Sequence, residues 1–324
     1  MGFMKLLESS DQDLNVASAV LKKGGLVAFP TETVYGLGAD AFCDSACRRI
    51  FEVKGRPEFN PLIVHCRNLK EIENFAEIDE RAFNLANEFW PGPLTLVLKK
   101  RDKSSLSSYV TAGLDTVAVR IPGHSIAQKL LEIFGSPIAA PSANLSGQLS
   151  STTAAHVVKS LGSRVDIILK SAGGEIGLES TIIDLSDLKP ALLRAGGFEI
   201  ERIESCLGES LIRSSEDRVK SPGQLLRHYA PLHPIRINVT EVHEDEGLLA
   251  FGEELKGSKI SLNLSKAEDL TEAARTLFKA LHILDERADI TGIAVQPIPE
   301  RGLGIAINDR LRRAAAGSAF NDFR

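Results

Sequence analysis

Long apolar runs are missing from this chain of 324 residues. No stretch approaches the roughly 18–20 residues that cross a bilayer as a helix, so a membrane span is not expected. The N-terminus, Met1 to Asp13, has no continuous apolar segment, which argues against a secretory leader. Cysteine is scarce. Cys43, Cys47, Cys66 and Cys206 include no C-x-x-C pair, which speaks against zinc and against a disulfide framework at this length. A reducing, cytoplasmic setting fits. Positive charge is not in excess: Lys and Arg number 38 against 43 Asp and Glu, a net charge of −5. The surface as a whole is therefore no polyanion binder, and any nucleotide or RNA contact must come from a local basic cluster. No G-x-x-x-x-G-K-[ST] run occurs, which excludes a P-loop. Internal repeats, low-complexity tracts and a Ser-His-Asp or Cys-His nucleophile pattern are also lacking.

What is present reads as ordinary globular protein, with 43% hydrophobic and 25% charged residues. The length suggests two domains. Apolar runs predict strands at Leu26–Phe29, Leu62–His65, Leu94–Leu98, Thr116–Ile121, Ile138–Ala140, Ser180–Leu185 and Ala191–Arg194. Helical patterns run from Ser45 to about Lys54 with Asp44 as cap, and over Glu80–Trp90, Ile126–Phe134 and Ser151–Leu161. Strands and helices mix without strict alternation, so an α/β domain with a mixed sheet is expected. Ser205 to Gln224 is polar, with Ser214-Ser215 and Ser221-Pro222-Gly223, and reads as a linker. Beyond it come strand-like runs at Ile235–Val239, Gly247–Phe251, Ile260–Leu264 and Ile293–Val295, with helices over about Ala267–Glu286 and Ile305–Ala315. The division expected is 1–208, a linker over 209–234, and a smaller α/β domain over 235–324.

Lys54-Gly55-Arg56-Pro57, with Asn60 beyond it, sets two cations around a glycine in a loop. Such a turn can converge on one polyanion, or be an ordinary basic turn. Pro30-Thr31-Glu32-Thr33-Val34-Tyr35 follows a strand, where hydroxyls can bind a small polar substrate or simply cap a turn. Gly36-Leu37-Gly38-Ala39-Asp40-Ala41 matches G-x-G-x-x-[GA], with Glu58 about 20 residues on. We reject it as a dinucleotide fingerprint, because six residues separate it from the strand and Glu58 falls in the basic loop. Pro141-Ser142-Ala143-Asn144 follows a strand and is expected to precede a helix, as a phosphate loop or an N-cap cluster. His65 ends a strand; Arg120 interrupts an apolar alternation and is either a carboxylate clamp or a solvent-facing arginine. Arg194 precedes Gly196-Gly197, and Arg227-His228-Tyr229-Ala230-Pro231 lies in the linker.

In this order, the motifs resemble the threonylcarbamoyl-AMP synthase family in its long two-domain form. The resemblance rests on Pro30 to Gly38, Lys54-Gly55-Arg56-Pro57 with Asn60-Pro61-Leu62, Ser142-Ala143-Asn144, Ser180-Thr181 and Arg194. It extends to the linker run from Ser221 to Pro231, to Gly302-Leu303-Gly304, and to Ala306-Ile307-Asn308-Asp309-Arg310-Leu311. Gln224-Leu225-Leu226 departs from it, where the family carries a bulkier or basic residue before the arginine. The resemblance implies a YrdC-like twisted mixed sheet with a concave active site and a smaller Rossmann-like α/β domain. It implies synthesis of L-threonylcarbamoyladenylate from L-threonine, bicarbonate or CO2, and ATP, with release of pyrophosphate. The product would feed a downstream transferase that modifies the tRNA adenosine beside the anticodon. By the same resemblance Lys54, Arg56, Asn60, Thr116, Ser142, Asn144, Ser150, Arg194 and Tyr229 contact ATP, Lys54 and Arg56 acting in catalysis. Thr33, His65, Arg120 and Ser180 contact threonine, and Mg2+ accompanies the nucleotide phosphates. The linker, with Arg227 and Tyr229, is expected to order over the nucleotide as a lid. Two rival readings are weaker: a hydrogenase-maturation enzyme lacks its C-x-x-C motifs here, and an RNA-binding module sits poorly with the acidic balance.

Overall fold

The computed structural model describes residues 4–171, 174–213, 221–222 and 228–318. The chain divides into two compact units. Met1–Ser146, Ser151–Glu175 and Glu179–Gln224 form the first; Gly147–Ser150, Ile176–Leu178 and Leu225–Arg324 form the second.

The first unit is built on a mixed sheet of eleven strands among the described residues. They are β1 (Lys5–Leu7), β2 (Val27–Phe29), β3 (Gly36–Asp40), β4 (Ile63–His65), β5 (Leu94–Lys99), β6 (Thr116–Arg120), β7 (Ile138–Ala139), β8 (Ile167–Leu169), β9 (Thr181–Asp184), β10 (Ala191–Arg194) and β11 (Ile212–Arg213). Their order is β1-β8-β2-β3-β7-β4-β6-β5-β9-β10-β11. The β4–β6 and β5–β9 pairs are parallel, whereas β2–β3, β3–β7, β4–β7 and β5–β6 are antiparallel. Strands β2 and β4 are buried along their length, which explains why the sequence shows solid apolar runs there rather than alternation. One core cluster joins helices Asp11–Lys22 and Ser125–Phe134 to the sheet through Leu14, Leu21, Leu130 and Phe134. Another gathers Ile50, Phe51, Leu85, Val119 and Ile183.

The expected mixed α/β architecture is what the structure has, but several local expectations are corrected. Gly36-Leu37-Gly38 is strand β3, paired with β2; this strand was not among those expected, and it agrees with rejecting a dinucleotide fingerprint there. A Cβ at Gly38 would lie 2.8 Å from Ile138 and from the Phe29 ring, so this glycine makes room for packing. Helix Asp44–Lys54 is capped by Cys43, without a side-chain bond, and Asp44 is already inside it. Helix Ala154–Leu161 starts later than expected, with Thr153 as N-cap. The Ser142–Asn144 loop therefore neither caps that helix nor opens onto its N-terminus. The stretch read as linker from Ser205 holds the end of helix Ile200–Leu207 and strand β11, which pairs in parallel with β10. Arg227 and Gln224-Leu225-Leu226 lie outside the described residues.

The second unit carries β12 (Ile235–Ile237), β13 (Glu246–Ala250), β14 (Ile260–Asn263) and β15 (Gly292–Val295) in the parallel order β12-β15-β13-β14. Helix Leu270–Asp285 is started by Asp269, whose carboxylate accepts the Thr271 and Glu272 N–H groups. It buries Leu277, Phe278, Leu281 and Leu284.

Candidate active site

Lys54 is the last residue of helix Asp44–Lys54, four positions after buried Ile50 and so on the same face. Gly55 ends the helix in the left-handed conformation at φ 59°. The Lys54 side chain is 2% exposed. Its Nζ donates to the Ser142 carbonyl at 2.5 Å and to the Asn144 carbonyl. In return Ser146 N–H donates to the Lys54 carbonyl at 2.8 Å. The two loops singled out in the sequence are thus joined by one ammonium group. Burial, and next the charge of Arg56, push the Lys54 pKa well below that of an exposed lysine.

Arg56, also buried, donates Nε to the Asn60 carbonyl at 3.0 Å and Nη2 to the Pro61 carbonyl at 2.8 Å. These bonds curl the basic loop back on itself and bury Asn60, whose side-chain Oδ1 has no partner among the described residues. The β4–β6 register pairs Ile63 with Ala118. Carried back two residues, it puts Thr116 level with Pro61, at the same end of the sheet as the basic loop. Ser142 pairs with Gly36, and Ala143 N–H bonds the Tyr35 carbonyl at 2.7 Å. The Thr31–Thr33 turn is thereby anchored to the Ser142 loop.

A second cluster surrounds Arg120, which is 3% exposed rather than solvent-facing. Its Nε donates to the Gly92 carbonyl at 3.2 Å, Nη1 to Thr33 Oγ1 at 3.0 Å and Nη2 to Glu32 Oε1 at 2.6 Å. That uses three of the five N–H donors of a guanidinium and leaves two without a partner among the described residues. Burial raises the Glu32 pKa, but the charge and hydrogen bond of Arg120 outweigh it and hold the carboxyl below its usual range. His65 lies opposite Arg120 on the paired strand. Its Nδ1 faces the Ile63 carbonyl at 3.2 Å, and its ring meets Phe29 edge-on at 6.0 Å. Burial and then Arg120 push its pKa down to about 3, so it is neutral near pH 7.

Ser180 and Arg194 form a third cluster. Arg194 donates Nε to the Ser180 carbonyl and Nη2 to Ser180 Oγ, each at 3.1 Å, and Nη1 to the Pro222 carbonyl at 3.3 Å. Thr95 Oγ1 lies 2.7 Å from Ser180 Oγ. Gly92 and Pro93 connect this cluster to the second, since Gly92 accepts from Arg120 and Pro93 accepts the Thr181 N–H at 2.9 Å. Arg194 is 7% exposed, which removes the surface-charge alternative.

Ser150 and Tyr229 belong to the second unit. There the Ser150 carbonyl faces His282 Nε2 at 3.1 Å, and Gln148 forms a bridge with Ala230. Tyr229, with φ of 63°, packs its ring under the Arg310 guanidinium at 5.2 Å and beside Phe278 at 5.6 Å. Sequence reasoning missed Glu32 as the Arg120 counter-ion and Thr95 as the Ser180 partner. The carboxylate of the Thr-Glu-Thr triplet was the available signal, but its partner is 88 residues away. Among the described residues no group of three or more His, Cys, Asp or Glu could hold a metal ion. The carboxylate in the cluster, Glu32, is engaged by Arg120. No helix of the described residues is long and apolar enough to cross a membrane.

Residues 19–196 match the family model of the Sua5, YciO and YrdC proteins, described as telomere recombination. Residues 198–316 match the model described as threonylcarbamoyl-AMP synthase, C-terminal domain. A threonylcarbamoyl-AMP synthase of Pyrococcus abyssi is 45% identical, over 93% of this chain and 94% of that protein. The chain belongs to the threonylcarbamoyl-AMP synthase family. The Bacillus subtilis synthase is 38% identical over 96% of this chain and 95% of its own. The crystal structure of P. abyssi Sua5 complexed with L-threonine superposes with a TM-score of 0.88 at 39% identity, covering 98% of both chains. The two family models together span residues 19–316 of this chain, apart from residue 197.

Proposed function

We propose that this chain joins L-threonine, bicarbonate or CO2, and ATP into L-threonylcarbamoyladenylate, releasing pyrophosphate. The observation that carries the reading is the Lys54 tie between the basic loop and the Ser142–Asn144 loop, together with a buried arginine, Arg120, that has two uncommitted donors. It unites the two family motifs in one place. Arg120 takes the amino-acid carboxylate, with Thr33, neutral His65 and Ser180 around the rest of threonine. Lys54, Arg56, Asn60, Thr116, Ser142, Asn144 and Arg194 serve the nucleotide.

The chemistry asks for such a site. The threonine nitrogen, once carboxylated, is an anion that attacks the anionic α-phosphate, so the path needs fixed positive charge. Lys54, Arg56 and Arg194 supply it from buried positions. No covalent work is left to a nucleophilic side chain. Holding the carboxylate in line contributes up to about 7–11 kcal/mol in ideal cases. Mg2+, carried by the nucleotide phosphates, adds charge neutralisation when bound. A site that reads a hydroxyl rejects analogues lacking it by about 10⁴-fold, whereas one methyl gives about 10–200-fold, so serine is the hardest competitor.

We place the reaction in the cytoplasm, as the first step of tRNA threonylcarbamoyladenosine formation, with a tRNA-modifying transferase as consumer of the product. The test is pyrophosphate release with ATP and Mg2+, omitting threonine and bicarbonate in turn. Release should require both; release indifferent to threonine overturns the reading.

A further inference from the structure

We propose that Thr31 is a positioning residue that fixes Thr33 as a hydrogen-bond acceptor for the α-amino group of the bound amino acid. The inference rests on the amino-acid site argued above and concerns a residue given no role there. Thr31 is 2% exposed and Thr33 1%. Thr31 Oγ1 donates to the Val34 carbonyl at 2.7 Å. A carbonyl only accepts, so the single hydroxyl proton of Thr31 is committed. Thr31 Oγ1 also accepts the Thr33 N–H at 3.2 Å and lies 2.7 Å from Thr33 Oγ1. In that last contact Thr33 must therefore be the donor. Its proton points at Thr31, and one lone pair receives Arg120 Nη1 at 3.0 Å. What Thr33 has left for a ligand is one acceptor lone pair.

The cluster thus has a fixed polarity. Arg120 presents donors, and an acceptor stands 3.0 Å beside it. An α-amino acid carries its carboxylate and its nitrogen on one carbon, which suits a donor and an acceptor side by side. The side-chain hydroxyl of threonine sits one carbon further away. The nitrogen keeps an N–H after it is carboxylated, so the Thr33 contact survives that step. The turn is braced from behind: a Cβ at Gly174 would meet the carbonyls of Thr33, Glu32 and Thr31 at 2.6, 2.7 and 2.8 Å. Replacing Thr31 by valine preserves shape but releases the Thr33 proton, which can then face the ligand as a donor against a donor.

Isothermal titration of the full chain with L-threonine, L-2-aminobutyrate and ATP, separately, tests this on Thr31→Val and Thr31→Ser; Thr31→Ala replaces the valine variant if that one does not fold. Thr31→Val should weaken both amino acids by the same factor, about tenfold for one mispaired hydrogen bond, and leave ATP affinity unchanged. Thr31→Ser, which restores the hydroxyl, should return both affinities to within about twofold of the parent on the same reasoning. Unchanged threonine affinity in Thr31→Val, or a loss that serine does not rescue, overturns the proposal. A loss confined to threonine and sparing L-2-aminobutyrate, which lacks the hydroxyl, also overturns it, because the hydroxyl is then the group read. A parent protein that binds neither amino acid refutes the functional reading itself, a result separate from any difference among variants.

Discussion

Replacing Gly196 by alanine should loosen the Arg194 site through the backbone. A Cβ there would stand 2.4 Å from the Glu179 carbonyl oxygen, 2.4 Å from the Ser180 carbonyl carbon and 2.5 Å from its oxygen. Ordinary contact begins near 3.4 Å, so the Ser180 peptide must retreat by about 1 Å, and backbone has no rotamer with which to escape. The Ser180 carbonyl and hydroxyl each accept from Arg194 at 3.1 Å. A retreat of about 1 Å carries both beyond hydrogen-bond range. Overpacking of this kind costs about 1–3 kcal/mol, and a bond to a charged group is worth about 1.5–3 kcal/mol, so a net loss of about 2.5–6 kcal/mol is expected. At roughly 2–4 °C per kcal/mol for a domain of this size, the melting temperature should fall by about 5–24 °C. Differential scanning calorimetry reads the shift, and titration with ATP should show weaker binding alongside it. A variant that melts within a degree of the parent and binds ATP as well would refute the close approach and the role given to Ser180.

Two further perturbations probe the other clusters. His65 stays neutral in the folded chain to about pH 3, whereas the unfolded residue protonates near 6.5, so the unfolded state binds more protons between those values and stability falls as pH drops through that window. Urea unfolding should show the parent losing about 2 kcal/mol more than His65→Gln between pH 7 and pH 5, and equal losses would refute the assignment. Lys54→Met strips two carbonyls of a charged donor at about 1.5–3 kcal/mol each, so ATP binding should weaken at least tenfold together with a lower urea midpoint. Full ATP affinity in a destabilised variant would leave Lys54 a purely structural tie.

Much of the fold was legible because burial writes itself into local pattern. Val117, Val119 and Ile121 marked β6, and the run ending at His65 marked β4. The helix expected from Glu80 starts there, with Asp79 accepting the Ala82 N–H as its cap. β3 escaped because Gly36 and Gly38 mimic a nucleotide loop, when they are glycines for the sake of the Phe29 ring. β1, β8 and β11 were not among the expected strands either. The site motifs were recognisable one at a time, but what each cation touches was not. The sequence shows Arg120 breaking an apolar alternation; it does not show Glu32 and Thr33 waiting for it from the far side of two strands.

The Lys54 tie also bears on how the chain acquires its site. Its two hydrogen bonds close loops of 88 and 90 residues, and the entropy of such closure must be met before either bond forms. Strands adjacent in the sheet, such as β4 and β6 or β5 and β9, are likewise far apart in sequence, a topology associated with slow folding. A nascent chain that has emerged only as far as Arg120 has its basic loop but no carbonyls for Lys54 to hold. Nucleotide affinity should therefore arise late in synthesis, after residue 144, and no shorter N-terminal fragment can be expected to carry it.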